Sequence, residues 1–238
     1  MTEKENGALV AIEKALAAHM SRDGLRTWVE QNSLPYRELI SYYRCAIMEV
    51  ETKFRVLNEE FSLGDDNNPI ETIKSRLKAP NSIVEKLLRN GYSLSLQSIE
   101  ENINDIAGVR IICSCVSDIY MLADALLKQD DVFLVQKKDY IANPKPNGYR
   151  SLHLIIATPI YLHNSKRMMK VEVQLRTLAM DLWASLEHKI RYKKTNELLT
   201  DRIGAELLEC AEISAELDRR MELIRQETSA AGGDGTAV

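Results

Sequence analysis

Apolar residues recur at three- and four-residue steps through Leu39, Ile40, Tyr43, Ala46, Ile47, Val50, Phe54, Leu57 and Phe61, the spacing that lays one face of an α-helix into a core. The pattern predicts a long amphipathic helix from about Pro35 to Phe61, with a shorter helical extension from Ala11 to Asn32 ahead of it. The period breaks in Ser62-Leu-Gly-Asp-Asp-Asn-Asn-Pro69, a stretch of turn chemistry after which the core fold is expected to begin.

Beyond the break the period shortens. Ile70 to Lys78 reads as a strand, Ser82 to Arg89 as a helix, and Asp105 to Cys115 as a buried strand around Val109-Arg-Ile-Ile-Cys113. Val116 to Lys128 reads as a helix opened by Ser117-Asp118. Strands follow at Val132 to Lys138, Ser151 to Thr158 and Met169 to Arg176, with a loop from Asn143 to Gly148. Leu178 to Tyr192 and Leu198 to Glu227 are helical. The second of these carries Ile203, Leu207, Ala211, Ser214, Leu217, Met221 and Ile224 near heptad spacing, suited to packing on its own domain or on another subunit. The expected architecture is α+β, a mixed five-stranded sheet flanked by helices, with long helices at both ends. The expected organisation is a helical extension over 1–62, a catalytic domain over 63–195, an oligomerisation helix over 196–228 and a flexible tail over 229–238.

Length and a hydrophobic content of 45% are enough for one sizeable core in 238 residues. Charge changes the picture more: 31 basic against 35 acidic residues give a net charge of -4, so no global basic field draws the chain to nucleic acid, and an anionic ligand must meet a local patch. Four cysteines, scattered except for the pair Cys113 and Cys115, and an N-terminus without a basic-then-apolar pattern point to a reducing cytoplasm. No apolar run approaches the ~20 residues that span a bilayer.

Local patches are present. Lys74, Arg76 and Lys78 alternate along an extended segment and so share a face, and Ser82 and Lys86 lie one turn apart on the helix that follows. Cations converging beside a helix N-terminus suit a polyphosphate, although a solvated basic face has the same composition. In Asn104-Asp-Ile-Ala-Gly-Val-Arg110, Asp105 at a strand mouth is a possible Mg²⁺ ligand. Arg110 inside the apolar run needs a partner, either a base to stack on or a structural carboxylate.

Pro144-Lys-Pro-Asn-Gly-Tyr-Arg-Ser-Leu-His153 presents Tyr149 on a stiff loop among Lys145, Arg150 and His153, a platform for a base or else a buried strand tyrosine. His153 alone reads as structural or as a simple donor. Finally, Val171-Glu-Val-Gln-Leu-Arg176 alternates strictly and sends Glu172, Gln174 and Arg176 to one face. A carboxylate there can share a metal ion or take a proton from an attacking hydroxyl, or simply form an ion pair on an exposed sheet. Cys113 and Cys115 lie too close in one strand for a zinc knuckle and read as core filler.

In order and spacing, IKSRLKAPNSIVEKL, INDIAGVRIIC, KPNGYRSLH and VEVQLRTLAMDLWASLEHKIRYK resemble the synthetase domain shared by the Rel/Spo homologues and the stand-alone small alarmone synthetases, over about Pro69 to Tyr192. With no room for hydrolase or regulatory domains, the chain is expected to be a small synthetase. NPIETIKSRLK, KPNGYRSLHLII and LAMDLWASLEHKI are most similar to the RelP branch, with RelQ as the near alternative. The resemblance implies a nucleotidyltransferase-like domain that moves the β,γ-pyrophosphate of ATP onto the 3′-hydroxyl of GDP or GTP.

It further implies that Arg76 and Arg110 sandwich the adenine, that Lys78, Ser82 and Lys86 hold the ATP phosphates, and that Asp105 and Glu172 bind Mg²⁺ and carry catalysis. Tyr149 would stack on the guanine, with Lys145, Asn147 and His153 around the acceptor and Gln174 beside it. A homotetramer is implied as well, with no membrane and no stable nucleic-acid partner. Two other functions use the same residues: a toxic synthetase acting on tRNA 3′ ends or on adenosine nucleotides, and a non-catalytic nucleotide- or RNA-binding module. Asp105 and Glu172 speak against the module, because two carboxylates weaken a site built only to hold a polyanion.

Overall fold

The computed structural model describes residues 3–63, 68–192 and 197–232. Helix α1 spans Glu3–Ala17 and α2 spans Arg22–Phe61. The expected helix boundary near Asn32 does not exist: the break lies at Ser21, whose side chain accepts from the Gly24 amide at 3.1 Å and caps a helix of 40 residues that runs straight through Pro35. Proline removes one intrahelical bond. Pro35 is exposed and so is Gln31, so the carbonyl that loses its donor faces water and the helix continues.

Strand β1 spans Ile70–Leu77, α3 Pro80–Arg89, α4 Leu96–Asn102, β2 Ala107–Cys113 and α5 Val116–Leu127. Strands β3 (Phe133–Asp139), β4 (Leu152–Tyr161) and β5 (Lys166–Thr177) follow, and the chain closes with α6 (Leu178–Tyr192) and α7 (Glu197–Gly232). Helix α3 begins at Pro80, ahead of the expected Ser82, because a proline in the first turn costs no hydrogen bond. Helix α4 was not expected: its seven residues are too few for a readable period, and a cap from Ser95 to the Ser98 amide marks its start. Helix α7 continues to Gly232, so the start of the expected flexible tail is helical.

The five strands form one mixed sheet in the order β1-β2-β5-β4-β3, with β2 and β5 parallel and every other pair antiparallel. The alternation of the strands divides the sheet by chemistry. Ala107, Val109 and Ile111 of β2, Leu152, Leu154 and Ile156 of β4, and Val171, Val173 and Leu175 of β5 are buried in one apolar cluster. The same cluster takes in Val50 and Phe54 of α2 and Ile119 and Leu122 of α5, so these helices cover that face. The opposite face collects the polar residues of the same strands.

Helix α7 packs on its own chain. Leu207 and Ala211 turn inward against Trp183 of α6, whose indole N–H donates to the Leu207 carbonyl at 2.7 Å. Leu217, Met221 and Ile224 of the near-heptad series stay about half exposed. Among the described residues no helix is long and apolar enough to cross a membrane.

Candidate active site

Register brings the polar residues of the open face side by side. Lys74 of β1 lies opposite Arg110 of β2, and Arg110 lies opposite Gln174 of β5. Arg76 lies opposite Gly108, Gly108 opposite Glu172, and Gln174 opposite His153 of β4. Side chains directly opposite in register point to the same face, so the strands bring these groups together with no help from loops. A slot of about 100 Å³ is lined by Lys74, Ser75, Arg76, Gly108, Val109, Arg110 and Gln174.

The alternating cations of β1 do not converge on one point as expected. Lys74 turns to Asp181 at the start of α6, 3.0 Å away. Lys78 lies just past the strand end and donates to Asp105 Oδ2 at 3.0 Å, while Lys86 of α3 donates to Oδ1 at 2.9 Å. Burial opposes ionisation of Asp105, but the two ammonium groups outweigh it and hold the carboxyl below its ordinary pKa. Ser82 stands one turn ahead of Lys86 on the same helix, half-buried.

Glu172 sits in a ring of hydrogen bonds. His153 Nδ1 is 3.2 Å from Glu172 Oε1, and the Gln174 amide donates to Oε2 at 2.9 Å. The Tyr149 hydroxyl is 2.7 Å from His153 Nε2 and accepts from Arg176 at 2.5 Å. Arg176 can only donate to the Tyr149 hydroxyl, whose remaining donor and acceptor capacity faces His153 Nε2, and the other ring nitrogen of His153 faces the Glu172 carboxylate. Burial raises the Glu172 pKa, and the bonds from His153 and Gln174 more than reverse this, leaving the carboxyl ionised below its usual range. The Asp105 charge also raises it, so the two carboxylates are close enough to feel one another. Among the described residues no cluster of three or more His, Cys, Asp or Glu is arranged to hold a metal ion.

The loop before β4 is a tight turn in which the Gly148 amide donates to the Lys145 carbonyl at 2.8 Å and the Asn147 side chain accepts from the Tyr149 amide at 3.3 Å. Asn147 also donates to Glu187 of α6 at 3.2 Å. The half-buried Tyr149 ring has Lys145 Nζ at 4.7 Å and the Arg176 guanidinium at 5.1 Å from its centroid, with Trp183 at 6.5 Å. Lys145 lies equally near Tyr140, at 4.6 Å. The Tyr149 ring is therefore already shared by two cations.

Two contacts of this network leave no local sign in the sequence. Asp181 reads from sequence as an ordinary acidic first-turn residue, yet it accepts from Lys74, Arg110 and Arg176. Arg176 shares the polar face that the strand alternation predicts, but its bond to the Tyr149 hydroxyl carries no local signal; the residue is buried, only 4% exposed.

A family model described as the region found in RelA / SpoT proteins matches residues 75–197. The chain belongs to the RelA/SpoT family. GTP pyrophosphokinase YwaC of Bacillus subtilis (strain 168) is 47% identical over 208 residues, covering 86% of this chain and 95% of that protein. Among solved structures, the small alarmone synthetase 1 from Bacillus subtilis bound to its product pppGpp has a TM-score of 0.73 at 34% identity, covering 82% of this chain and 98% of that one. The same synthetase bound to AMPCPP has a TM-score of 0.67 at 33% identity, covering 82% and 98%. Within this RelA/SpoT chain, the matched region takes in Arg76, Asp105, Arg110, Tyr149, Glu172 and Asp181.

Proposed function

We propose that the chain transfers the β,γ-pyrophosphate of ATP to the 3′-hydroxyl of GDP or GTP and releases AMP, making (p)ppGpp. The observation that supports this reading is the sheet register that sets Glu172 on one face with Arg76, Arg110 and Gln174, with His153 3.2 Å from its carboxylate; in this reading Arg76, Arg110, Lys78 and Lys86 form the donor side and Lys145, Tyr149 and His153 the acceptor side. Relatives named as GTP pyrophosphokinases and a product-bound synthetase of the same fold support it.

In this reading Arg76 and Arg110 flank the adenine in their slot, and Lys78, Ser82 and Lys86 hold the phosphates. Tyr149, Lys145, Asn147 and His153 hold the acceptor guanosine, and Gln174 fixes the carboxylate of Glu172. The 3′-oxygen attacks the β-phosphorus while the bond from that phosphorus to the α,β-bridging oxygen breaks and its electron pair leaves with AMP. A carboxylate with lowered proton affinity is a weak base, so Glu172 chiefly orients the hydroxyl and accepts its proton late, as suits a loose transition state. Positioning and charge neutralisation supply most of the rate. Asp105 and Glu172 fit Mg²⁺, which takes one or two carboxylates and completes its shell with phosphate oxygens and water; bound there, the ion would neutralise charge on the transferring group.

The same proposal includes action in the cytoplasm, membership of the RelP branch and assembly as a homotetramer. Apolar residues left exposed on α2, Met48 and Val56, and on α7, Leu217, Met221 and Ile224, favour assembly. Incubation with ATP labelled in the γ-phosphate, Mg²⁺ and GDP or GTP should give a labelled guanosine 3′-diphosphate with one AMP per product. Label found only on tRNA ends or adenosine nucleotides would assign the chain to the toxic synthetases, and binding without turnover would make it a binding module.

A further inference from the structure

Asp181 has no part in the reaction as proposed above, and the inference below rests on that reaction. It lies in the first turn of α6 with a side chain only 12% exposed, and it gathers cations from three strands: Lys74 of β1, Arg110 of β2 and Arg176 of β5. The bonds are distributed unevenly. Lys74 takes Oδ2 at 3.0 Å, whereas Arg110 and Arg176 both donate to Oδ1, at 3.0 and 3.3 Å.

The same two guanidiniums share a second oxygen. Gln174 Oε1 accepts from Arg110 at 3.3 and 3.2 Å and from Arg176 at 3.3 Å. Arg110 lines the donor slot, and Arg176 holds the Tyr149 hydroxyl of the acceptor loop. Two like charges are thus pinned to one pair of oxygens, and among the described residues Asp181 is the carboxylate that bonds both and makes their approach tolerable. Any movement of Arg110 onto a base changes the bonds left to Arg176, and the reverse holds.

We infer that Asp181 is a positioning residue that couples the donor slot to the acceptor loop, so that occupancy of one half-site sets the geometry of the other. A purely structural ion pair would stabilise the fold without linking the affinities of two ligands. Linkage is reciprocal and measurable as the factor by which one ligand changes the affinity of the other.

The test is calorimetric titration of a non-hydrolysable ATP analogue into the full chain, with and without saturating GDP, for the wild type, Asp181→Asn and Asp181→Glu. In the wild type GDP should change the analogue's affinity by about fivefold or more, the lower end of ordinary coupling. In Asp181→Asn the factor should fall below about twofold, and Asp181→Glu should recover part of it. Asp131→Asn, which breaks the remote pair with Lys53, controls for general destabilisation and should keep the wild-type factor. An unchanged factor in Asp181→Asn, or no coupling in the wild type, overturns the inference. If Asp181→Asn does not fold, Asp181→Glu decides alone, since displacing the carboxylate by one methylene must lower the factor. Wild-type protein that binds neither nucleotide would overturn the proposed function itself; binding of both without coupling removes only the role of Asp181.

Discussion

Gly148 meets two demands that no other residue can meet. Its φ of 86° lies in the left-handed region, and a Cβ built there would stand 2.5 Å from the Ala211 Cβ of α7. Gly148→Ala should therefore cost about 2–4 kcal/mol, from backbone strain together with a forced shift of α7. The strain is separable from the clash. In an Ala211→Gly background the same substitution should cost less, because the left-handed strain and the looser 3.2 Å approach to the Leu208 side chain remain but the Ala211 clash is gone, and urea midpoints for the four proteins of this cycle measure the difference. An equal cost in both backgrounds would mean that α7 does not press on the turn. At this scale the sequence was informative where a residue acts through its own strand: the alternation of Glu172, Gln174 and Arg176 was readable because strand geometry alone sets it. It was uninformative where a partner lies far along the chain. Lys74 and Asp181 are 107 positions apart, and nothing local separates the one cation of β1 that meets this carboxylate from the others.

Among the elements, α7 is fixed at its far end by polar contacts. Arg225 donates to both oxygens of Asp118 at 2.7 and 2.8 Å, Glu222 accepts from the Ser117 hydroxyl at 2.9 Å, and Asp218 accepts from Thr177 at 2.8 Å. Asp118 also caps α5 by accepting from the Cys115 amide at 2.9 Å, and its side chain is only 8% exposed. Arg225→Ala leaves that charge nearly buried without its cation. The expected loss is about 1–3 kcal/mol, below the figure for a fully buried pair because Arg225 is partly solvated. Chemical denaturation measures it, and a loss under about 0.5 kcal/mol would show that the contact contributes no more than a surface pair. The long periodic helices and the buried strands were legible because burial writes a period into them. The α1–α2 boundary was misplaced because proline was read as punctuation, whereas Pro35 sits on an exposed face that tolerates it. Helix α4 was missed because seven residues hold less than two full turns.

At the scale of the whole molecule the carboxylates set the response to pH. Asp105, Glu172, Asp181 and Glu222 all have lowered pKa values: in each, burial pushes up and bonded cations or donors push further down. A carboxyl lowered in the folded state contributes stability above its unfolded pKa of about 4, and that stability is lost as pH falls through the folded value. Asp218, raised chiefly by burial, has the opposite sign and loses its contribution as pH rises through its folded value. With these four groups against one, and the exposed Glu216 also lowered by its bonds to Arg219 and Arg220, the urea midpoint should fall as pH drops from 5 toward 3, and a flat or rising midpoint would contradict the ion-pair network described here.

The most direct measurement of the central claim is product formation from ATP with GMP, GDP, GTP, ATP or tRNA as acceptor, for the wild type, Glu172→Ala and Tyr149→Ala. The account predicts a guanosine 3′-diphosphate product with GDP or GTP, reduced at least about a hundredfold in both variants while each remains folded. A wild type that makes no such product, or a folded Glu172→Ala that turns over like the wild type, would contradict it.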